Sequence, residues 1–372
     1  MSAEAPIRVL FLRSPSRAPF AAAWAGGLRH ARGIEAWQHP AWPEAARAKL
    51  AKLPNAEAAW EVLQERLIRD PAEVRRKLES GFFNVVMLSD EDGNLFRASR
   101  GGAVGWLRSR FRRGPDLERE LGMALPELAA RWPLAVVDLA DAPFLTPAGQ
   151  RQLEACTAYF KRELPFDRLF LYYQQRPAPW RKRRQELLSV VAKVRGIPLG
   201  IEDDRYAALR AQRAARQEID VLMVGSPTNS MRLAGLEHLR AWASQRPARV
   251  EIHDSLPYSD YCRRMARSRV TISIAGGGWD CFRHYEAVSL GSVPLMNRPT
   301  VDAVRWHDLP EELFFDNTFR DFGARLDALL ADARLRRDCL SKLEGMVEAH
   351  ALHSRMAEYA VRTALAGGSG AS

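Results

Sequence analysis

The stretch that decides the fold runs Ser273-Ile274-Ala275-Gly276-Gly277-Gly278-Trp279-Asp280-Cys281-Phe282-Arg283-His284-Tyr285-Glu286-Ala287-Val288-Ser289-Leu290-Gly291-Ser292-Val293-Pro294-Leu295. The apolar, β-branched run that leads into it, from Val270 to Ile274, predicts a buried parallel strand. Three glycines follow, and then a helix-compatible segment from about Asp280 to Leu290, which Gly291 ends. The next short strand begins at Val293, so the stretch predicts a strand, a glycine turn, a helix and another parallel strand.

A glycine turn between a strand and a helix exposes backbone N–H groups at the positive end of the helix, which is a natural place for a phosphate. The candidates for this contact are Gly276, Gly277 and Gly278. Arg283 and Glu286 are three residues apart, so they share a helix face beside the turn. Arg283 can offer a forked pair of donors to a diphosphate, and Glu286 can accept hydrogen bonds from a ribose diol.

The spacing Gly-x-x-x-x-Arg-x-x-Glu-Ala, followed by Gly-x-x-Pro at the next strand, resembles the donor-site signature of exostosin-type glycosyltransferases. It is also similar to the donor domain of two-Rossmann (GT-B) glycosyltransferases, over roughly Asp220 to Asn317. The resemblance implies a nucleotide-sugar donor, with Glu286 on the ribose and Arg283 near the diphosphate. Many retaining members carry a second Glu eight residues before the conserved one. Here Gly278 holds that position, which favours inversion.

Strands and helices alternate along the rest of the chain, which indicates parallel sheets. The predicted fold class is therefore α/β, with two Rossmann-like doubly wound domains facing across a cleft and C-terminal helices. The expected divisions are residues 1–204 for an acceptor-side domain, 205–219 for a linker, 220–345 for the donor domain, 346–366 for a helix and 367–372 for a flexible tail. In the first domain we predict a strand from Leu134 to Asp141, a helix from Thr146 to Arg162, a strand from Leu169 to Tyr173 and a helix from Arg181 to Arg195.

Ligands of open parallel sheets gather beyond the carboxyl ends of the strands. An inverting transferase needs a base there that takes the proton of the acceptor hydroxyl. Asp138 and Asp141, at the end of the strand that begins at Leu134, are the first candidates, and Asp90 is the next. Each of these carboxylates can instead cap a helix or pair with an arginine.

Three further residues follow strands of the predicted donor domain. Ser226 and Arg232 lie in and just after the loop that leads into its first helix, where free N–H groups can hold phosphate. His253 follows the second strand and is a candidate for contact with the nucleotide. Helix capping and a structural histidine are the alternatives without a ligand. No Asp-x-Asp triplet ends a strand, so we expect no metal and no cofactor.

The net charge and the cysteines indicate the surroundings in which the protein works. The 372 residues carry a net charge of +10, and 48 of the 55 basic residues are Arg. Arginines crowd residues 97–119 and 176–184, which suggests either a solvated surface or attraction to an anionic acceptor or membrane. The four cysteines have no paired spacing and are expected to be buried thiols in a reducing compartment. We expect neither a transmembrane span nor a secretory signal, and hence a cytoplasmic protein, with peripheral contact at the inner membrane face as a further expectation.

These patterns favour a glycosyltransferase that moves a sugar from a nucleotide-sugar to a glycan or lipid-linked acceptor in bacterial surface polysaccharide synthesis. A sugar-nucleotide epimerase or a phosphorylase of the same fold is the alternative. An Arg-rich nucleic-acid-binding protein is a third hypothesis, but the chain has no recognised nucleic-acid motif, and we expect no nucleic-acid partner.

Overall fold

The computed structural model describes residues 5–14, 18–41, 47, 56–89, 117–173, 184–302 and 305–368. Two compact units make up the chain. The first unit combines Met1–Gly196 with Met356–Ser372, and the second is Ile197–Arg355. Each unit is an α/β structure around its own parallel sheet, which confirms the predicted α/β class with two parallel-sheet domains.

The first unit contains a six-stranded parallel sheet in the order β2-β1-β3-β4-β5-β6. Its central strands are buried along their whole length because helices cover a sheet of this kind on its faces. The strands are β1 (Ile7–Arg13), β2 (Ile34–His39), β3 (Val85–Ser89), β4 (Leu134–Asp138), β5 (Ala158–Lys161) and β6 (Val194–Gly196).

Seven helices of the described residues belong to the stretch before Gly196, and an eighth ends the chain. They are α1 (Ala18–His30), α2 (Ala56–Gln64), α3 (Pro71–Glu79), α4 (Leu117–Leu121), α5 (Leu125–Arg131), α6 (Pro147–Ala155), α7 (Arg184–Val191) and the last helix, which begins at His353 and ends at Gly368. Leucines from the strands and from α3 to α6 form one continuous core with Trp132 and Tyr159.

The predicted helix from Thr146 to Arg162 is wrong in its second half. Thr146 caps α6 by accepting a bond from Gly149 N at 3.1 Å, but the backbone becomes extended at Cys156. Ala158–Lys161 then forms β5, which pairs with β4 on one side and β6 on the other. Four fully buried residues gain more from pairing inside the sheet than from prolonging a helix, so tertiary context overrides local periodicity.

Two other predictions for this region also need correction. Leu169 to Tyr173 was expected to be a strand, but Arg168–Tyr172 is a 3₁₀ helix whose start is capped by Asp167. The predicted helix from Arg181 to Arg195 ends early, at Val191, because its last residues form β6. The strand from Leu134 is likewise shorter than predicted and ends at Asp138.

The second unit contains a five-stranded parallel sheet in the order β11-β10-β9-β7-β8. Its strands are β7 (Ile219–Val224), β8 (Val250–His253), β9 (Ser268–Ser273), β10 (Val293–Asn297) and β11 (Phe314–Phe315). Its helices are α8 (Asp203–Arg210), α9 (Ser230–Ala243), α10 (Tyr258–Ala266), α11 (Phe282–Leu290), α12 (Phe322–Ala331) and α13 (Ala333–Met346); the chain's last helix is therefore α14 (His353–Gly368).

The order of this second sheet identifies where a ligand belongs. Counted within the unit, the strand order is 2-1-3-4-5, which reverses direction between its first strand, β7, and its third, β9. Doubly wound sheets bind ligands beyond the carboxyl ends of the two strands at such a reversal. Val224 ends β7 and Ser273 ends β9, so the chain on either side of this point runs into Gly225 and into the glycine turn.

Two segments near the expected domain divisions are helical. Residues 205–210 of the expected linker lie in α8. Residues 211–218 connect α8 to β7, which begins at Ile219. The expected flexible tail begins at residue 367, but α14 continues to Gly368. Across the described ranges, no helix combines the length and the apolar character needed to cross a bilayer.

Candidate functional site

The glycine turn lies at the carboxyl end of β9 and folds back on itself. Gly276 N donates to Gly278 O over 2.9 Å, and Gly277 is exposed at the tip. On the neighbouring strand, Gly225 has a φ of +147°, a region in which L side chains are strained. The two strand ends therefore present bare backbone, without Cβ atoms, at the point where the sheet order reverses.

Asn229 fixes the start of α9 against this turn. As the N-cap, its Oδ1 accepts from Arg232 N at 2.8 Å, while its Nδ2 donates to Gly276 O at 2.8 Å. One side chain thus satisfies the helix start and positions the glycine turn. The sequence alone could not reveal this second contact, because it joins residues that are 47 positions apart.

Arg232 is held along the same turn. Its Nε donates to Ala275 O at 3.2 Å, and its Nη1 donates to Thr228 Oγ1 at 3.4 Å. A Cβ atom at Gly276 would lie only 2.7 Å from Arg232 Nη2. A glycine at this position is therefore what allows the guanidinium to lie against the backbone of the turn.

Arg283, in the first turn of α11, approaches from the other side. A Cβ atom at Gly225 would lie 2.7 Å from Arg283 Nη2 and 3.9 Å from Arg232 Nη1, so both guanidinium groups converge over Gly225. Arg283 Nε is buried and makes no hydrogen bond within the described residues. Arg283 thus lies over Gly225, and Arg232, which lies against Gly276 of the glycine turn, shares the same space.

This arrangement brings two positive charges together. Burial lowers the pKa of Arg232, and the charge of Arg283 lowers it further. Among the ion pairs of the described residues, none joins a carboxylate to Arg232 or to Arg283. Two guanidinium groups that repel each other and have no carboxylate partner among the described residues form a site that is electrostatically complementary to a polyanion.

Glu286 lies one turn further along α11 and is buried, with 5% of its surface exposed. Its Oε1 forms an ion pair with Arg205 of α8, and its Oε2 accepts from the hydroxyl of Tyr261 of α10 at 2.6 Å. A carboxylate has about four acceptor sites on its two oxygens, so each oxygen keeps a lone pair after these bonds. Glu286 is therefore anchored and still able to accept hydrogen bonds.

The partners of Glu286 respond to its charge. Burial lowers the pKa of Arg205, but the charges of Glu286 and Glu202 outweigh that effect and raise the pKa overall. Burial raises the pKa of Tyr261, and Glu286 raises it further. Sequence reasoning missed both partners, since Arg205 is 81 positions and Tyr261 is 25 positions from Glu286.

A cluster of Cys281, His284 and Ser273 lies at the start of α11. Cys281 is the N-cap residue and makes no side-chain capping bond. Ser273 Oγ lies 2.8 Å from His284 Nδ1 and 3.8 Å from Cys281 Sγ. His284 Nε2 lies 3.0 Å from the carbonyl oxygen of Trp279 and 3.7 Å from Cys281 Sγ. No role for this cluster was predicted from the sequence.

Ser226 and His253, the two other candidates of this unit, make their contacts with residues other than the two arginines. Ser226 is exposed, and its hydroxyl donates to Asp254 O at 3.3 Å. His253 ends β8, and its Nε2 lies 3.6 Å from Glu251 Oε2. Neither side chain contacts Arg232 or Arg283 in any bond found among the described residues.

Asp138, at the end of β4, is buried and is held by two hydrogen-bond donors and one ion pair. Its Oδ1 accepts from Ala140 N at 2.9 Å, and its Oδ2 accepts from the Tyr159 hydroxyl at 2.8 Å. The ammonium group of Lys161, which is fully buried, lies 3.0 Å from the same Oδ2. These contacts give Asp138 a structural role at the end of β4.

Asp141 is the more accessible of the two first candidates. Its side chain is 56% exposed and forms an ion pair with Arg162, which also donates to Leu139 O at 3.0 Å. Asp90, the third candidate, lies outside the described residues; it follows Ser89, the last residue of β3. The strand order of the first sheet reverses between β1 and β3.

Some expected features fall on residues that the structure leaves undescribed. Most of the arginines of residues 97–119 and 176–184 belong to this group. In the described ranges, no set of three or more His, Cys, Asp or Glu side chains is placed to hold a metal ion. Of the four cysteines, Cys156, Cys262 and Cys339 are buried as predicted, whereas Cys281 is partly exposed.

Comparison with known protein families and with curated proteins found no match to the sequence. Comparison with solved structures gave similar folds at low identity. An α-glucosyltransferase in complex with UDP and a 13-mer DNA aligns with a TM-score of 0.52 at 10% identity, over 96% of this chain and 99% of that one. The complex of such an enzyme with UDP gives a TM-score of 0.50, again at 10% identity, with 96% and 99% covered. A UDP-N-acetylglucosamine 2-epimerase reaches a TM-score of only 0.37 at 13% identity, over 96% and 95% of the chains, and carries no weight here.

The two α-glucosyltransferase structures match nearly the whole chain. At this level of identity the likeness concerns the fold alone, which has two parallel-sheet α/β units as in the GT-B fold. The exostosin-type signature is matched by no family model.

Proposed function

We propose that this chain is a glycosyltransferase that binds the diphosphate of a nucleotide-sugar donor between Arg232 and Arg283. The single observation that carries the proposal is the convergence of these two guanidinium groups over Gly225, where the second sheet reverses its strand order. Their mutual repulsion is relieved when a polyanion binds, and forked donors match phosphate oxygens. The GT-B fold, in which UDP-bound α-glucosyltransferases are found, supports this reading.

The proposal assigns Glu286 to the donor's ribose. Arg205 and Tyr261 hold its carboxylate in place, so the remaining lone pairs are oriented before the ligand arrives. An acceptor that is already fixed loses less entropy on binding than a mobile side chain. The glycine turn supplies backbone N–H groups within the same region, and Arg232 lies along it.

For the chemistry, we propose direct displacement with inversion. The two arginines and the start of α11 stabilise the departing nucleoside diphosphate, which is the role that a metal ion plays in other transferases. The base is one of Asp138, Asp141 and Asp90. Because two hydrogen-bond donors and the buried Lys161 already hold Asp138, its contacts favour Asp141 among the described pair. We expect turnover to persist in excess chelator; complete loss that Mg²⁺ or Mn²⁺ restores would contradict metal independence.

The acceptor we propose is a glycan or a lipid-linked sugar, used in the synthesis of bacterial surface polysaccharide in the cytoplasm, with peripheral contact to anionic membrane. The net charge of +10 supports an anionic acceptor or surface. No cofactor is expected beyond the nucleotide-sugar substrate.

The proposed function is tested by calorimetry with UDP, ADP, GDP and their nucleosides. Loss of charged hydrogen bonds costs about 1.5–3 kcal/mol, so Arg283→Ala and Arg232→Ala should weaken diphosphate binding by about 10- to 150-fold and nucleoside binding far less. Arg240→Ala is the matched control, since Arg240 lies on the same helix as Arg232 but is exposed. Equal loss for nucleoside and diphosphate, or binding of no diphosphate by the unaltered protein, would overturn the assignment.

A further inference from the structure

We propose that Cys281 is a nucleophilic thiol, activated through Ser273 by His284, and that it is a modification site for hydroperoxides and other soft electrophiles beside the arginine pair. The reactivity of this thiol does not depend on the proposed transferase function. Its coupling to nucleotide binding does rest on that function.

The hydrogen-bond directions in the cluster define a proton relay. The carbonyl oxygen of Trp279 can only accept, so His284 Nε2, at 3.0 Å, carries a proton. In the neutral state, the thiol of Cys281 donates to Ser273 Oγ, and the Ser273 hydroxyl donates to His284 Nδ1. When each of these two protons moves one step, the result is a Cys281 thiolate, an unchanged serine hydroxyl and a His284 imidazolium.

The surroundings stabilise the charged form. Sγ of the thiolate can then accept from the Ser273 hydroxyl at 3.8 Å and from His284 Nε2–H at 3.7 Å. Cys281 is also the N-cap of α11, where helix N–H groups and the macrodipole favour a negative charge. An activated nucleophile with a base that is oriented by a third group is the usual form of a reactive cysteine.

The charged, titratable and polar groups that face Cys281 come from four elements. His284 and Arg283 belong to α11, Ser273 ends β9, Arg232 belongs to α9 and Tyr261 to α10. Burial raises the pKa of the Cys281 thiol, but His284, Arg283 and Ser273 outweigh it and lower the pKa to about 6. Burial lowers the pKa of His284, and the charge of Cys281 reverses this and raises it.

The other three cysteines serve as internal controls. Cys156, Cys262 and Cys339 are 1%, 2% and 0% exposed, and Cys281 is partly exposed. Burial raises the pKa of Cys156 to about 12 and that of Cys339 to about 11, and it also raises the pKa of Cys262. Modification of the folded protein is therefore expected at one thiol of four.

The chemistry balances without a metal or cofactor. The Cys281 sulfur attacks one oxygen of a hydroperoxide, an S–O bond forms and the O–O bond breaks. The sulfur is oxidised by two electrons to a sulfenic acid, the peroxide is reduced, and the leaving oxyanion takes up a proton. The product adds a polar group at the start of α11, beside Arg283, where the donor's diphosphate is proposed to bind.

The test uses iodoacetamide on the folded full chain, with no nucleotide present, and maps the labelled cysteine by mass spectrometry from pH 5 to 9. We expect labelling at Cys281 alone, with half of the maximal rate near pH 6. An ordinary thiol has its midpoint near pH 8.5. The thiolate of an ordinary cysteine is the stronger nucleophile, but far less of it is present at pH 6, so Cys281 should react about tenfold faster than a free cysteine at that pH. A midpoint near 8.5, or labelling spread over all four cysteines, would overturn the proposal.

Two variants separate the relay from folding. Ser273→Ala removes only the hydroxyl that joins the thiol to the imidazole and should move the midpoint upward, while Cys281→Ser should abolish labelling. Melting temperatures report whether each variant is folded. A folded Ser273→Ala variant that keeps the midpoint near pH 6 would contradict the relay.

The coupling of Cys281 to the donor site is measured separately, as protection of the thiol by UDP. UDP affinity is measured first by calorimetry on unlabelled protein, which tests the proposed function alone. If UDP binds, saturating UDP should slow labelling of Cys281 by more than tenfold. Binding without protection would overturn the coupling, whereas failure of UDP to bind would count against the proposed function and leave the labelling profile as the test of the thiol.

Discussion

At the scale of single residues, Glu286 is the position where function and stability are hardest to separate. Its carboxylate holds Arg205 and Tyr261, so Glu286→Ala removes one of the two counter-charges of a partly buried guanidinium, the other being Glu202 at 3.5 Å. Loss of one partner of a buried ion pair costs up to about 3–5 kcal/mol of stability, whatever the site binds. Alanine is therefore the wrong substitution for a test of ribose binding.

Glu286→Gln keeps the shape and one acceptor oxygen but removes the negative charge. If the carboxylate accepts from the donor's ribose, we expect UDP affinity to fall by about one order of magnitude, because hydrogen bonds to a charged group are worth about 1.5–3 kcal/mol. Affinity for inorganic pyrophosphate, which has no ribose, should be almost unchanged. Equal losses for both ligands would remove Glu286 from the ribose. Calorimetry with the two ligands gives the comparison.

Asp138 and Asp141 offer a second residue-scale prediction. Asp138→Asn replaces the carboxylate that lies 3.0 Å from the buried Lys161 by an uncharged amide, so we expect stability to fall by about 3 kcal/mol. Asp141→Asn removes the exposed partner of the buried Arg162, which keeps its ion pair with Glu163 and its bond to Leu139 O, so this change should cost only about 1 kcal/mol. If Asp141 is the base, its variant should lose about 10²–10⁴-fold in turnover while it keeps its stability and UDP affinity.

Denaturant unfolding and turnover, measured on both aspartate variants, distinguish the roles. A stable Asp138→Asn protein with no turnover would assign the base to Asp138 instead. Full activity in both variants would leave Asp90 as the candidate.

At the scale of elements, the strand–turn–helix of Ser273 to Leu290 could be predicted because its signals are local. Glycines mark the turn, Gly291 ends the helix in the left-handed conformation, and the preceding strand is uninterrupted. β5 could not be predicted, since residues 158–161 form a strand only because β4 and β6 lie on either side. The contacts of Glu286 were missed for the same reason, as they come from α8 and α10.

Gly276 allows a test of the turn as an element. Gly276→Ala places a methyl group where Arg232 Nη2 now lies, within 2.7 Å. The end of an arginine side chain can move at little cost, so we expect a small change in melting temperature and at least a tenfold loss of UDP affinity. Gly345→Ala is the control, because a Cβ atom there meets nothing within 4 Å. Unchanged UDP affinity in Gly276→Ala would separate the glycine turn from the nucleotide.

At the scale of the whole molecule, alternation of strands and helices was sufficient to predict two parallel-sheet units. The place of the site within the second unit follows from strand order, which the sequence alone does not give. A short motif near a strand end identified Arg283, but only the order of β7 and β9 brings Arg232 to the same point. The feature that local sequence patterns do not encode is thus which strand ends are neighbours in the sheet.

The net charge of +10 leads to the last prediction, which concerns nucleic acid. Many arginines of the second unit are already paired with carboxylates. Examples are Arg246 with Asp327 at 2.7 Å, and Arg298 with Glu311 at 2.6 Å. A guanidinium paired in this way contributes little to the field that a DNA phosphate meets. We therefore expect a 13-base-pair duplex to bind weakly at 50 mM salt and not measurably at 200 mM.

The affinity for DNA should fall with salt with a shallow slope, because the slope counts the phosphates neutralised, at about 0.9 for each. UDP should bind with the same affinity whether or not the duplex is present, since the site proposed at Arg232 and Arg283 fits a compact diphosphate. Fluorescence anisotropy over a salt series, followed by UDP calorimetry in the presence of the duplex, measures both quantities. A slope that corresponds to six or more phosphates, together with transfer of labelled sugar to the duplex, would make nucleic acid the acceptor and reject the glycan or lipid-linked sugar.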